Sequence, residues 1–149
     1  MNVLFVCTGN TCRSPMATGI FKKIATEKNL KNINVSSAGI AADNRSGATE
    51  NAVKVCQEWN VDLKSHVSKS IFDVNVENID SFFVMTQSHR DFLINLGVKK
   101  ERIFVLGSQI PDPFGGNIEV YAQCRNQIYR AISELIENFN FDHRGELND

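Results

Sequence analysis

Apolar and polar residues follow one another in a repeated strand-then-helix order along this chain. Short apolar runs predict four strands, at residues 2–6, 33–37, 81–85 and 103–106. Apolar residues at three- and four-residue spacing predict one helix that begins at Ser14-Pro15 and others at 49–59, 87–96 and 118–139. This alternation is typical of a parallel sheet with helices on both faces. The sequence therefore predicts an α/β fold with one open sheet of four parallel strands flanked by helices.

The predicted domain ends where the alternation of apolar strands and helices ends. The last helix carries one mostly apolar face, formed by Ile118, Tyr121, Arg125, Ile128, Ile132, Leu135 and Phe139. From about residue 140 the chain becomes polar, and the segment 141–149 is expected to fray. There is no repeat and no linker, so we expect residues 1–149 to form a single domain with a polar tail.

Composition narrows the range of functions. The chain has 149 residues, 42% of them hydrophobic, and a formal net charge of −1, so neither nucleic acid nor a membrane is expected as a partner. No apolar run approaches the roughly 20 residues of a membrane span, and the first residues lack the basic segment of a signal peptide. Four cysteines without a disulfide-like framework favour a reducing compartment, so we expect a cytoplasmic protein. His89 and His143 have no metal-ligand spacing with any cysteine, and no metal site is expected.

Candidate chemistry is concentrated where the first predicted strand meets the first predicted helix. The segment there is Cys7-Thr8-Gly9-Asn10-Thr11-Cys12-Arg13-Ser14-Pro15. The N–H groups at the start of a helix bind anions and favour the thiolate of a nearby cysteine. We therefore expect the loop of residues 8–14 to bind a phosphate group. Cys7 would be the nucleophile, and Arg13 a planar clamp on two phosphate oxygens.

Three residues of this loop are expected to support the chemistry. Gly9 lets the backbone approach an anion closely, and Asn10 tolerates the left-handed conformation that curls a loop around it. Ser14 can donate a hydrogen bond to the sulfur of Cys7, which stabilises the sulfur as attacking and leaving group. A low pKa is expected for Cys7, because the helix dipole favours negative charge at its first turn. Together these features favour attack on the phosphorus of a bound phosphoryl group.

A second candidate residue, Asp112, lies far along the chain between two prolines. It follows the predicted strand 103–106, and loops at the carboxyl ends of strands converge on one site in an open α/β sheet. Breaking a bond to a poor leaving group requires a proton, and a positioned acid accelerates such a step by about 10²–10⁴-fold. Taken alone, Pro111-Asp112-Pro113 would be an ordinary turn. Combined with Cys7, it predicts that Asp112 acts as general acid and then as the base that activates water.

The two motifs resemble those of the low-molecular-weight protein tyrosine phosphatase family, which also contains bacterial protein arginine phosphatases. The resemblance extends from Val3 to about Phe139, and its motifs, the loop at 7–15 and Asp112-Pro113, occur in the family's order. It implies that the partner is a phosphorylated protein, hydrolysed through a phosphocysteine intermediate without metal or cofactor. It also implies the roles given above to the nucleophile, the clamp and the acid.

The resemblance implies supporting residues as well. In the family, a serine after the second strand and a histidine in a Ser-His-Val segment hold the loop asparagine, and these match Ser37 and His66. Cys12 lies one loop turn from Cys7 and could form a reversible disulfide with it, a redox role that the resemblance supports. Simple packing of Cys12 under the loop is the alternative.

Two residues bear on the choice of substrate. Tyrosine phosphatases of the family usually have Ile or Leu at the position of Thr11, as an apolar wall for the phenyl ring. Arginine phosphatases resemble this chain in having Thr there and Asp-Pro-Phe-Gly-Gly around the acid, which includes Phe114. A buried guanidinium needs hydrogen-bond acceptors. A hydroxyl group beside the substrate therefore favours a guanidinium over the face of a phenyl ring. We therefore favour phosphoarginine over the alternative, phosphotyrosine, and expect Thr11 and Phe114 to select the substrate.

Two other classes of protein share parts of this pattern. Thioredoxin-coupled arsenate reductases have the fold and a similar loop, but they need two further cysteines near the third strand. This chain has no cysteine between Cys56 and Cys124. A noncatalytic phosphate-binding module could keep the loop, but it would need neither Cys7 nor Asp112. A phosphatase therefore explains more of the chain than either alternative.

Overall fold

A computed structural model describes residues 1–141 and the backbone of 146–147. The elements are β1 (Asn2–Cys7), α1 (Arg13–Glu27), β2 (Asn34–Gly39), α2 (Glu50–Gln57), β3 (Ser81–Val84), α3 (Gln87–Leu96), β4 (Ile103–Val105), α4 (Ile118–Asn138), β5 (Phe139–Asn140) and β6 (Glu146–Leu147). Short 3₁₀ turns lie at Ile71–Asp73, Val76–Asn78 and Lys100–Arg102. Within this part of the chain, every helix is too short or too polar to cross a membrane.

The strands β1 to β4 form one parallel sheet in the order β2-β1-β3-β4, which confirms the predicted fold class. The chain passes from β1 through α1 to β2 on one side of β1, and later returns as β3 on the other side. Open α/β sheets bind ligands at such a switch point, at the carboxyl ends of the strands. Cys7 is the last residue of β1 and lies at that edge.

The side chains of β1 alternate between two apolar cores, one on each face of the sheet. Val3 and Phe5 belong to the larger core, which contains the buried apolar residues of α1, α2 and α4. Leu4 and Val6 belong to the smaller core, which contains Leu93 of α3. Both faces are therefore covered, as the unbroken apolar run of β1 indicates.

Capping side chains position two helices at the edge of the sheet where Cys7 lies. Thr86 lies two residues past the end of β3. Its Oγ1 accepts the N–H of His89 at 3.4 Å, while the His89 ring accepts the N–H of Thr86 at 3.2 Å. At the start of α4, the side chain of Asn117 accepts the N–H of Val120 at 3.0 Å. Such caps satisfy N–H groups that have no partner within the helix.

The end of the chain departs from the prediction. A polar, frayed segment was expected from about residue 140, but Phe141 is only 8% exposed and belongs to the larger core. Its ring centre lies 4.7 Å from that of Phe139 and 5.4 Å from that of Phe21. β5, which ends just before Phe141, pairs antiparallel with β6. The expectation is therefore wrong at Phe141, and most of the predicted tail, 142–145 and 148–149, lies outside the described residues.

Candidate active site

The loop that joins β1 to α1 lies at the carboxyl edge of the sheet, as predicted. Cys12 is the residue that precedes α1, and its carbonyl accepts the first helical hydrogen bond, from the N–H of Met16 at 3.1 Å. The side chain of Cys12 does not cap the helix. The first N–H groups of α1 therefore lie next to the loop, where they can bind an anion.

The thiol of Cys7 is buried, with 2% of the residue exposed. Its Sγ lies 2.9 Å from Oγ of Ser14, and Nδ2 of Asn10 donates to the same Oγ at 2.7 Å. The hydroxyl hydrogen of Ser14 is thereby left to be donated to the sulfur. Burial raises the pKa of the Cys7 thiol, and hydrogen bonds from Ser14 and the charge of Arg13 oppose this rise. The low pKa expected from the position of Cys7 at the start of α1 stays a prediction.

Asn10 adopts the left-handed conformation expected of it, with φ of 57°, and it is completely buried. Its Nδ2 donates to Oγ of Ser37 at 2.9 Å as well as to Ser14, and its Oδ1 accepts the N–H of Lys69 at 2.9 Å. Nε2 of His66 lies 2.6 Å from the carbonyl oxygen of Asn10. Ser37 and His66 thus contact the loop asparagine, as the resemblance implies.

Arg13 lines the cavity although only 4% of the residue is exposed. Its Nη1 donates to the carbonyl oxygen of Ile110 at 2.9 Å, and its Nη2 donates to Oγ1 of Thr8 at 3.4 Å. Nη2 also lies 3.7 Å from Oδ2 of Asp112. These contacts fix the guanidinium between the two predicted motifs, which lie about a hundred residues apart in the sequence.

Asp112 is half exposed and faces Arg13 from a loop attached to the sheet. The N–H of Ile110 donates to the carbonyl oxygen of Met85, just past β3, at 2.7 Å. Oδ1 of Asp112 accepts the N–H of Phe114 at 3.0 Å, and the Phe114 residue is 72% exposed. The acid and the aromatic residue predicted to select the substrate therefore lie side by side.

These residues enclose one cavity of about 230 Å³. It is lined by Cys7, Thr8, Gly9, Thr11, Cys12, Arg13, Asp112 and Phe114. The set contains a thiol nucleophile, a carboxyl group, a guanidinium and backbone N–H groups, which together can bind a phosphoryl group and transfer it to sulfur. In the described part of the chain, no group of three or more His, Cys, Asp or Glu side chains is placed to hold a metal ion.

Cys12 has polar neighbours on the side of the loop that faces α2 and α4. Its Sγ lies 3.3 Å from the hydroxyl of Tyr121 and 3.5 Å from that of Thr49, and the N–H of Thr49 donates to the carbonyl of Thr11 at 2.9 Å. Cys7 and Cys12 are both free thiols. A disulfide between them stays a prediction. The tyrosine, predicted only as part of an apolar helix face, also contacts the loop.

Sequence reasoning missed His89. It gave this residue no contact with the loop, whereas the structure buries it, with 2% exposed, against the loop. Its Nε2 lies 2.9 Å from Oγ1 of Thr8. A signal was available, because Thr86-x-x-His89 follows the third strand directly and so lies at the same edge of the sheet as Cys7.

Comparisons with known proteins agree with this geometry. A family model described as low molecular weight phosphotyrosine protein phosphatase matches residues 2–144. The chain is 36% identical to a protein-arginine-phosphatase of Bacillus subtilis (strain 168), over 97% of this chain and 100% of that protein. It is 29% identical to the low molecular weight protein-tyrosine-phosphatase PtpB of Staphylococcus epidermidis (strain RP62A), over 96% of this chain and 99% of that protein.

Among solved structures, the chain is similar to the YwlE arginine phosphatase, in a variant whose active-site serine is phosphorylated. That structure matches with a TM-score of 0.89 and 36% sequence identity, over 97% of this chain and 99% of the other.

Proposed function

The chain belongs to the low molecular weight phosphotyrosine protein phosphatase family and is a cysteine-dependent protein phosphatase, and we propose that its preferred substrate is phosphoarginine in proteins. The observation that carries this proposal is the polar wall beside the nucleophile, where Thr11 lines the cavity with Cys7 and Asp112. The relative named protein-arginine-phosphatase, 36% identical over nearly the whole chain, supports it.

In the proposed first step, Cys7 attacks the phosphorus of the bound phosphoryl group as the thiolate, while Asp112 is protonated. Arg13 and the N–H groups of the loop bind the phosphoryl oxygens and stabilise their charge. The S–P bond forms while the P–N bond breaks, and Asp112 gives its proton to the departing nitrogen, so arginine leaves as an ordinary guanidinium. The phosphorylated active-site serine in the YwlE variant supports a phosphorylated residue at this point of the reaction.

In the proposed second step, water removes the phosphoryl group from Cys7. The carboxylate of Asp112 takes a proton from the water, whose oxygen attacks the phosphorus as the S–P bond breaks. Cys7 leaves as a thiolate, which accepts a hydrogen bond from the hydroxyl of Ser14, 2.9 Å away. Inorganic phosphate is released, and the enzyme is back in its starting state, with Asp112 protonated and Cys7 as the thiolate.

The hydroxyl of Thr11 provides the reason to prefer a guanidine over a phenyl ring. A phosphorylated guanidine has N–H groups along its edge that lose their water on entering the cavity, and each needs an acceptor. The hydroxyl oxygen of Thr11 and the carbonyl oxygen of the protonated Asp112 carboxyl group are such acceptors. A phenyl ring gains nothing from a hydroxyl at this position.

Phosphotyrosine is the second candidate substrate. The 72% exposed ring of Phe114 could pack against the phenyl ring of a phosphotyrosine beside the acid. The relative named PtpB is a protein-tyrosine-phosphatase, although its identity to this chain is lower, at 29%.

The test compares two peptides of the same sequence, one with phosphoarginine and one with phosphotyrosine. We expect the wild-type protein to have the higher kcat/KM for the phosphoarginine peptide. Thr11→Val keeps the shape of Thr11 and removes its hydroxyl, and it should lower kcat/KM for phosphoarginine about tenfold. Thr11→Ile adds an apolar wall and should raise kcat/KM for phosphotyrosine, while Cys7→Ser sets the background.

A wild-type preference for the phosphotyrosine peptide would contradict the proposal. If the wild type and both Thr11 variants prefer phosphoarginine equally, the proposed substrate is confirmed, but Thr11 is not the residue that selects it.

A further inference from the structure

His89 reaches the active site from the start of α3, outside both motifs described above. Its Nδ1 accepts the backbone N–H of Thr86 at 3.2 Å and lies 3.1 Å from Oγ1 of Thr86, whose hydroxyl can donate to it as well. A backbone N–H can only donate, so Nδ1 carries no hydrogen, and in a neutral imidazole the hydrogen must be on Nε2. Nε2 therefore donates to Oγ1 of Thr8, 2.9 Å away. Burial and the charge of Arg13 lower the pKa of His89 to about 4, so the ring is neutral near pH 7.

This donation determines what the hydroxyl of Thr8 can do. A hydroxyl oxygen has two lone pairs and one hydrogen. Oγ1 of Thr8 accepts from His89 and, at 3.4 Å, from Nη2 of Arg13, which occupies both lone pairs. Its hydrogen is left to be donated. Thr8 lines the cavity that holds Cys7, so a phosphoryl oxygen there is the acceptor within reach.

We propose that His89 is a positioning residue for phosphoryl transfer: by donating to Thr8, it makes the Thr8 hydroxyl a fixed hydrogen-bond donor to the phosphoryl group. Without His89 the hydroxyl can turn its hydrogen away and present a lone pair to the anionic oxygens, which repels them. The same contact supports the Nη2 side of Arg13. This inference rests on the phosphatase activity proposed above, but not on the choice between phosphoarginine and phosphotyrosine.

Two substitutions separate this contact from the helix cap that His89 also provides. Asn places Oδ1 near the position of Nδ1, so His89→Asn keeps the acceptor for Thr86 and removes the donor to Thr8. Gln places its amide near the position of Nε2, so His89→Gln keeps a donor to Thr8 and removes the acceptor for Thr86. If His89 only capped α3, the variant that loses the cap, His89→Gln, would have both the lower melting temperature and the lower activity.

We expect kcat/KM for a chromogenic aryl phosphate to fall about ten- to a hundredfold in His89→Asn, because the hydrogen bond from Thr8 to the charged phosphoryl group is weakened or lost. His89→Gln should stay near the wild-type value although its melting temperature is the lower of the two. Thr8→Val should lose as much activity as His89→Asn, and the double variant should lose no more than either, because both remove the same hydrogen bond. Inhibition by orthovanadate should weaken in Thr8→Val and His89→Asn by similar factors.

The inference is overturned if His89→Gln loses more activity than His89→Asn, or if the losses of Thr8→Val and His89→Asn multiply. If the His89 variants do not fold, Thr8→Val and Thr8→Ser decide: the first must lose activity and vanadate affinity, and the second, which keeps the hydroxyl, must retain them. If the protein hydrolyses the aryl phosphate but not phosphoarginine, the proposed substrate is refuted. The proposed role of His89 is then still tested by the variants assayed on the aryl phosphate.

Discussion

At the scale of single residues, the shape of the loop around Cys7 depends on the side chain of Asn10. Its left-handed backbone conformation is unfavourable for most residues with a Cβ, and its amide is completely buried. Hydrogen bonds to Ser14, Ser37 and the backbone of Lys69 satisfy that amide. Because Ser14 also contacts the sulfur of Cys7, the residue that shapes the loop and the residue that stabilises the nucleophile belong to one network.

The role of Asp112 can be tested by the dependence of the rate on the leaving group. Asp112→Asn keeps an oxygen that can accept the N–H of Phe114 and so preserves the loop, but it cannot supply a proton. We expect kcat for a phosphate ester of a poor leaving group to fall about 10²–10⁴-fold. An ester of a strongly acidic phenol should lose far less, because that group leaves without protonation.

The measurement is single-turnover phosphorylation of Cys7 with a series of aryl phosphates. Wild type and Asp112→Asn are compared, and Phe114→Ala is the control for disturbance of the loop. An equal loss on every member of the series would remove Asp112 from the role of acid.

The placing of residues at the site could be predicted from the sequence most easily where those residues are close together in the chain. Cys7 and Arg13 lie in one short segment whose strand-to-helix position indicates an anion site. Asp112 needed the added rule that loops at one edge of the sheet converge. His89 was missed, because its contact with Thr8 joins residues that are 81 positions apart, and only its place just after the third predicted strand indicates that it lies at the same edge of the sheet.

At the scale of elements, the end of β2 lies so close to the loop that only glycine fits there. The N–H groups of Ile40 and Ala41, just past β2, donate to the carbonyls of Cys7 and Thr8 at 3.0 and 2.9 Å. A Cβ on Gly39 would lie 2.5 Å from the carbonyl oxygen of Thr8 and 2.9 Å from the backbone nitrogen of Asn10. Both contacts are with backbone atoms, so the loop itself must move to relieve them.

Gly39→Ala should therefore inactivate the protein more than it unfolds it. We expect kcat/KM to fall by about 10²-fold or more, since a displacement on the order of 1 Å at reacting groups has that effect. The free energy of unfolding should fall by about 1–3 kcal/mol, the usual result of overpacking. Enzyme assays and urea denaturation measure the two effects. Gly47→Ala is the matched control, because a Cβ there meets only a carbonyl oxygen at 3.7 Å.

If Gly39→Ala retains wild-type kcat/KM, the loop tolerates the movement, and β2 does not constrain the geometry of the site.

Element positions could be predicted more closely than residue contacts, because each strand and helix has its own period. The prediction of 87–96 matches α3, which lies at Gln87–Leu96, and the predicted strands agree with β1 to β4 to within about two residues. The second helix is shorter than predicted, at Glu50–Gln57 instead of 49–59. Arg125 was placed correctly on the inner face of α4, where its guanidinium lies 4.0 Å from the centre of the Trp59 ring. That stacking contact could not be foreseen from helical spacing.

At the scale of the whole molecule, strand order decides where the site lies. The sequence indicates four similar apolar strands and helices on both faces of the sheet. The residues of a strand do not indicate which other strand it pairs with. The observed order places β1 between β2 and β3, so the loop after Cys7 can contact residues that follow both neighbours. Ser37 reaches it from β2 and His89 from the turn after β3. The active site is thus a consequence of the crossover between these strands.

The opposite end of the molecule is held by an aromatic cluster, and its contribution should be separable from activity. α4 has 21 residues, which corresponds to a length of about 30 Å. Tyr121 near its start contacts the loop, whereas Phe141 lies beyond its far end and packs on Phe21 and Phe139. Phe141→Ala should therefore lower the free energy of unfolding by about 3 kcal/mol, the lower end of the range for a buried Phe. It should leave kcat/KM unchanged well below the melting temperature.

Urea denaturation and steady-state assays of the same preparation measure both quantities, with Phe72→Ala as the control. Phe72 is 66% exposed, so its removal should change the free energy of unfolding by no more than about 0.5 kcal/mol. Wild-type stability in Phe141→Ala would show that the packed domain ends before residue 141, as its polar surroundings in the sequence indicate. If Phe141→Ala alone loses stability, the aromatic residues just past α4 belong to the core. They lie far from the active site and affect its chemistry only by keeping the sheet folded.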